Sequence, residues 1–173
     1  WFFLDDWQYY LENNKTLLKR TKNNSSHEIK FLPYENNIQI NIDSINNPNS
    51  NENNYVNNCI VRNFPLQKWV HLLVSLNGRT LDVYLDGKLV RTHILPGVAK
   101  SLKDSDVQIT PNGGFAGWTS RFQFWNDSLN PQEVYNIYKN GPGGSSSWLS
   151  YFDKYKIKLT WLVDNIEEGS VSL

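Results

Sequence analysis

A single cysteine, Cys59, and no methionine stand among 173 residues. One thiol excludes an intrachain disulfide framework and any CxxC metal knuckle. Neither sign of charge is in excess: 17 basic residues meet 17 acidic ones, for a formal net charge of +0. Nucleic-acid binders usually carry a basic surplus, so bulk charge gives that partner no support. No run of about 18 apolar residues occurs, which leaves no helical membrane span. Without a methionine, Trp1 is not a translation start, and the chain is expected to be a processed or partial piece. Any membrane attachment would then run through an anchor upstream of Trp1.

Aromatic rings and asparagine are present in quantity. Seven Trp, nine Tyr and eight Phe make up 14% of the chain, too much apolar ring for a disordered polypeptide and well suited to strands. The 23 asparagines, many of them paired, read as the mutational bias of an AT-rich genome rather than as a binding tract. Among them, Asn14, Asn23, Asn24 and Asn126 each open an Asn-x-Ser/Thr triplet and are candidate glycosylation acceptors.

Period-2 alternation dominates. Residues 1–11 suit a strand and turn, and Thr16–Arg20 and Glu28–Leu32 are short strands. Ile38, Ile40 and Ile42 share one face of the next. Residues 43–58 are nearly all polar and are expected to be a long surface loop. Lys68–Leu76, Leu81–Leu85 and Lys88–Ile94 are strands joined at Asn77-Gly78 and Asp86-Gly87, which predicts a three-stranded antiparallel meander. Its middle strand should bury Leu81, Val83 and Leu85 and turn Asp82 and Tyr84 to the other side. Val107–Thr110 and Ala116–Trp125 add strands, with a bulge or two-sided burial in the second. A helix is predicted over Pro131–Lys139: Asn130 caps it, Glu133 completes a capping box, and Val134, Ile137 and Tyr138 form its apolar face. After a Gly/Ser linker, Tyr155, Ile157, Leu159 and Trp161 alternate with Lys154, Lys156 and Lys158 in a last strand. Strands without a βαβ rhythm predict an all-β, antiparallel sandwich with one short helix.

Two segments resemble a known family. Pro65–His71 running through Asp82–Val90 resembles the centre of a laminin-G-like, concanavalin A-like jelly roll. Gly113–Gly117, Arg121–Asn126 and Leu129–Val134 resemble its closing segment, a strand that ends in a short helix. The resemblance covers residues 1–144 and implies a two-sheet jelly-roll sandwich, with 145–173 as linker and C-terminal strand extension. With the Asn-rich loops, it is most similar to variants encoded by large DNA viruses of algae and protists. The family implies lectins, adhesion domains and glycoside hydrolases alike. It also implies a Ca²⁺ site in many members, whose ligands do not map onto this chain residue by residue. No cofactor is otherwise expected.

The residues argue against catalysis. A glycosidase needs paired carboxylates at a set separation, and in Asp82-Val83-Tyr84-Leu85-Asp86 a tyrosine fills the middle position. Asp5 and Asp6 point to opposite faces. His71 reads as a satisfied sheet histidine, Cys59 as a small strand hydrophobe, and Gly113-Gly114 as a tight turn. The basic run Lys15–Lys22 reads as a solvated hairpin edge. Trp7, Trp118 and Trp125 are the candidate glycan-binding rings, since indole faces pack on sugar C–H groups; Trp69 reads as core. No catalytic residue is expected. The chain reads as a non-enzymatic structural or attachment protein of a large DNA virus particle, partnered by other virion proteins and by glycans. The alternative is a secreted or cell-surface lectin domain.

Overall fold

The computed structural model describes residues 1–9, 11–22, 25–45, 56–143, 158–163 and 166–172. The chain divides into two units, Trp1–Pro142 and Gly143–Leu173. The first is an antiparallel β-sandwich with one short helix, as the alternation predicts.

One layer is a five-stranded sheet in the order β10-β2-β3-β4-β5. It comprises Val107–Ile109 (β10), Lys15–Lys22 (β2), Ser25–Phe31 (β3), Ile38–Asp43 (β4) and Val56–Val61 (β5). Phe31, Ile38, Ile40, Cys59 and Val61 bury their side chains on its inner face. The polar stretch after Asp43 therefore ends in a strand, β5, which pairs along all of β4; the tract 46–55 lies outside the described residues. Lys15–Lys22 is not a solvated edge, because β2 runs between β10 and β3. Lys15 is fully buried, with its Nζ 4.7 Å from the centre of the Trp7 ring.

The opposing layer is two three-stranded sheets. One orders Ala116–Thr119 (β11), Phe2–Asp6 (β1) and Trp69–Val70 (β6). The other is the meander of Leu72–Asn77 (β7), Thr80–Leu85 (β8) and Lys88–Ile94 (β9). The expected strand Lys68–Leu76 thus breaks at His71, where the chain leaves one sheet and enters the other. Phe2, Leu4, Val70, Leu81 and Val83 close the core from this side.

Both meander turns fall where glycine appears. Asp86 and Gly87 take φ of 48° and 74°, the two positive values of a type I′ turn. The other turn is shifted by one residue: Asn77 pairs with Thr80, so Gly78-Arg79 is the loop, and only Gly78 has positive φ. Tyr84 faces away from Val83, as alternation requires, yet it is 2% exposed. The helix Pro131–Lys139 (α1) covers it, packing Val134 and Ile137 over Tyr84 and Leu73. A second layer of burial on the outer face was not legible from the strand alone.

The strand expected over Ala116–Trp125 stops at Thr119, and Arg121 takes a φ of 47°. In the second unit, Lys158–Val163 (β12) pairs with Ile166–Ser172 (β13), so the expected last strand is followed by another. Tyr155, Ile157, Lys154 and Lys156 lie outside the described residues.

Candidate functional site

The outer face of β11-β1-β6 carries a row of rings. Because β1 buries Phe2 and Leu4, Phe3 between them points outward. Antiparallel register sets Phe3 opposite Trp118 on one side and Trp69 on the other. The ring centres of Phe3 and Trp118 lie 5.3 Å apart at 66°, and those of Phe3 and Trp69 lie 5.8 Å apart at 67°. Trp118 is 57% exposed; Phe3 and Trp69 are half-buried. Edge-to-face packing of this kind holds each ring in one orientation. Lys68, beside Trp69, is ion-paired with Asp86 at 3.3 Å and adds a polar margin.

Gly117 makes the row fit. A Cβ at this position would stand 1.9 Å from the carbonyl oxygen of Phe3. Only glycine lets β11 approach β1 closely enough to bring Trp118 over Phe3.

The three expected glycan-binding rings are not brought together. Trp118 is in the row. Trp7 packs beside the core, 6.0 Å from Phe64, with Lys15 over its face. Trp125 lies in the irregular segment after β11 and is 38% exposed. No two of them touch. Trp69, expected in the core, joins the row because the chain breaks at His71 and gives β6 a surface of its own. Sequence reasoning missed Phe3 altogether; the signal was its position between two core residues on a strand.

The outer face of the five-stranded sheet is different in kind. Gln39 donates to Asn41 Oδ1 at 2.8 Å, Asn41 donates to Glu28 at 3.4 Å, and Lys30 pairs with Glu28 at 3.4 Å. These polar groups satisfy one another and present no ring.

The candidate carboxylates have structural partners. Asp82 accepts from Thr92 Oγ1, and Asp86 accepts from the His71 backbone N–H and pairs with Lys68. His71 is not the satisfied histidine expected: it is buried and its Nδ1 has no hydrogen-bond partner. Burial pushes its pKa down to about 4 against the pull of Asp86. Cys59 is buried opposite Ile40, and burial pushes its thiol up. Gly113-Gly114 closes a turn in which Gly114 donates to Pro111 at 3.1 Å. Asn14 and Asn126 are exposed, whereas Asn23 and Asn24 lie outside the described residues. Among the described residues no three His, Cys, Asp or Glu side chains gather as a metal-binding cluster.

Comparison with known proteins agrees with the geometry. A family profile described as the concanavalin A-like lectin/glucanases superfamily matches residues 5–135. The chain belongs to this family. It is 30% identical over 94 residues to a BEACH domain-containing protein, lvsD, of Dictyostelium discoideum. That match covers 48% of this chain and 3% of the Dictyostelium protein. A solved S-layer domain-containing protein from Clostridium thermocellum aligns with a TM-score of 0.33 and 12% identity, over 68% of this chain and 58% of that one. The matched segment takes in β11, the meander and the first turn of the capped helix, and it begins after Phe3.

Proposed function

We propose that this domain is a glycan-binding module that reads saccharides on the Trp118–Phe3–Trp69 face. The observation that carries the reading is the row of three edge-to-face rings, Trp118 exposed and Phe3 and Trp69 half-buried, on a lectin-type sandwich. Sugar rings offer C–H faces that pack on such a surface, while hydroxyls reach polar groups at its margin. The family fold hosts binding modules, and the carboxylates of Asp82 and Asp86 are engaged in holding strands and a turn rather than paired for acid–base work. Both support a non-enzymatic role. Such a module would serve at a surface, either as an attachment or structural protein of a virus particle or as a secreted or cell-surface lectin. The virion setting is supported by the resemblance of its segments to variants from large DNA viruses, and co-purification with particles tests it.

Affinity electrophoresis through gels containing algal and bacterial polysaccharides tests binding. At least one polysaccharide should retard the protein, and Trp118→Ala should weaken that retardation roughly five- to tenfold. Retardation by none, or equal retardation of the variant, would exclude this face as the site. Release of reducing ends during incubation would instead identify an enzyme.

A further inference from the structure

The two layers of the first unit do not close everywhere. A cleft of about 1040 Å³ opens between the inner faces of β7 and of β2–β4. Leu72, Val74 and Leu76 line one wall, and Leu18, Ile29 and Ile40 the other. The segment that follows β11 forms the lip, with Phe122 46% and Phe124 72% exposed. Walls of this composition suit an aliphatic chain, and the volume is that of a small-molecule site.

Two polar groups stand in this apolar space. Arg20 and His27 face each other across β2 and β3, and both line the cleft. Arg20 donates from Nε to Ser105 Oγ at 3.1 Å and from Nη2 to the Leu102 carbonyl at 2.8 Å. Its guanidinium also lies 5.4 Å from the centre of the Phe124 ring. All of these partners are neutral, and neither Asp104 nor Asp127, which also line the cleft, forms an ion pair with Arg20, while Glu28 pairs with Lys30 instead. The buried Asp43 carboxylate of β4, which accepts from the Ser26 N–H at 2.8 Å, acts on His27. His27 Nε2 is buried and has no hydrogen-bond partner. A guanidinium held by neutral acceptors beside an imidazole nitrogen that lacks a partner can receive an anionic, hydrogen-bonding group.

We propose that this cleft binds one long-chain carboxylic acid, its alkyl chain between β7 and the five-stranded sheet and its carboxyl group at Arg20 and His27. A carboxylate pairs with the guanidinium through a charge-assisted hydrogen bond and gives His27 Nε2 a partner. The aliphatic walls reject a saccharide, whose hydroxyls would be left without partners there. An alkyl alcohol fills the walls equally well but leaves the charge of Arg20 unmatched. The site is separate from the aromatic row, and the inference does not rest on the glycan reading.

Isothermal titration calorimetry of the whole chain with laurate, with dodecyl alcohol and with phosphatidylglycerol vesicles tests this. Laurate should bind with 1:1 stoichiometry and at least tenfold tighter than the alcohol. Arg20→Gln should weaken laurate at least tenfold, and Ile109→Trp, which adds bulk from the exposed cleft-lining residue of β10, should do the same. Circular dichroism melts confirm that each variant is folded, and Trp118→Ala should bind laurate unchanged. Absence of laurate binding, equal affinity in Arg20→Gln, or binding to vesicles alone would overturn the proposal.

Discussion

His71 and Asp86 hold each other where the chain crosses from one sheet to another. The His71 N–H donates to Asp86 Oδ1 at 2.9 Å, and the Asp86 N–H donates to the His71 carbonyl at 2.9 Å. Between them they continue the β7–β8 ladder past its last regular pair. The imidazole packs against Trp1 and Tyr138, with ring centres 5.0 and 5.9 Å away.

That environment makes stability depend on pH. In the unfolded chain His71 titrates near its ordinary value of 6.5, and in the fold at about 4. Between these values the unfolded chain binds the extra proton, so the native state is favoured fully above 6.5 and progressively less as the pH falls toward 4. The loss amounts to about 3 kcal/mol at most. Urea unfolding at pH 7.5 and 4.5 should show a smaller difference in His71→Gln than in the parent protein. An identical difference would mean that His71 is not held neutral by the fold.

Gly117→Ala should be among the most damaging single-methyl additions in the chain. Its Cβ would overlap the Phe3 carbonyl oxygen, so β1 and β11 must part, at a cost of about 2 kcal/mol or more. Polysaccharide retardation should fall with it. Gly141→Ala is the contrast: φ there is +68°, but no atom lies within 4 Å, so only backbone strain of about 1 kcal/mol applies. Thermal melts of the two variants check the order.

Removing the helix cap should cost about 1 kcal/mol. Asn130 Oδ1 accepts from the Glu133 N–H at 3.0 Å, and Glu133 Oε2 accepts from the Asn130 N–H at 2.8 Å. Asn130→Ala deletes the first of these bonds. An unchanged melting midpoint would show that the cap does not contribute.

Val134→Ala probes the docking of the same helix. Val134 is fully buried against Leu73 and Tyr84, and the cavity left by two lost methyl groups should cost about 2 kcal/mol. Hydrogen exchange should accelerate in α1 before it does so in β3 and β4. Uniform acceleration throughout would show that the helix unfolds only with the whole domain.

What could be read from residues alone was what local chemistry decides. The meander followed from glycine turns and alternation, and the helix from a reciprocal cap and a proline at its first position. The split at His71 was not legible, because which strand a two-residue segment pairs with is a long-range matter. Trp69 was misplaced for the same reason: alternation assigns it to a face but not to a sheet. Trp7 and Trp118 look alike in sequence, and only the partners across the strands, Lys15 and Phe64 for one and Phe3 for the other, separate an interior ring from an exposed one. The cleft depends on where two layers fail to meet, which no single stretch of chain encodes.

The aromatic row draws one residue from each of three distant stretches of chain: Phe3 near the start, Trp69 in the middle and Trp118 well beyond it. No fragment and no partly folded chain can assemble it. A molecule seated across the three rings therefore favours the folded state over every other, and its binding energy appears as resistance to unfolding that grows with ligand concentration. Occupancy and folding would then be one equilibrium, with the domain hardest to unfold where such a molecule is most abundant.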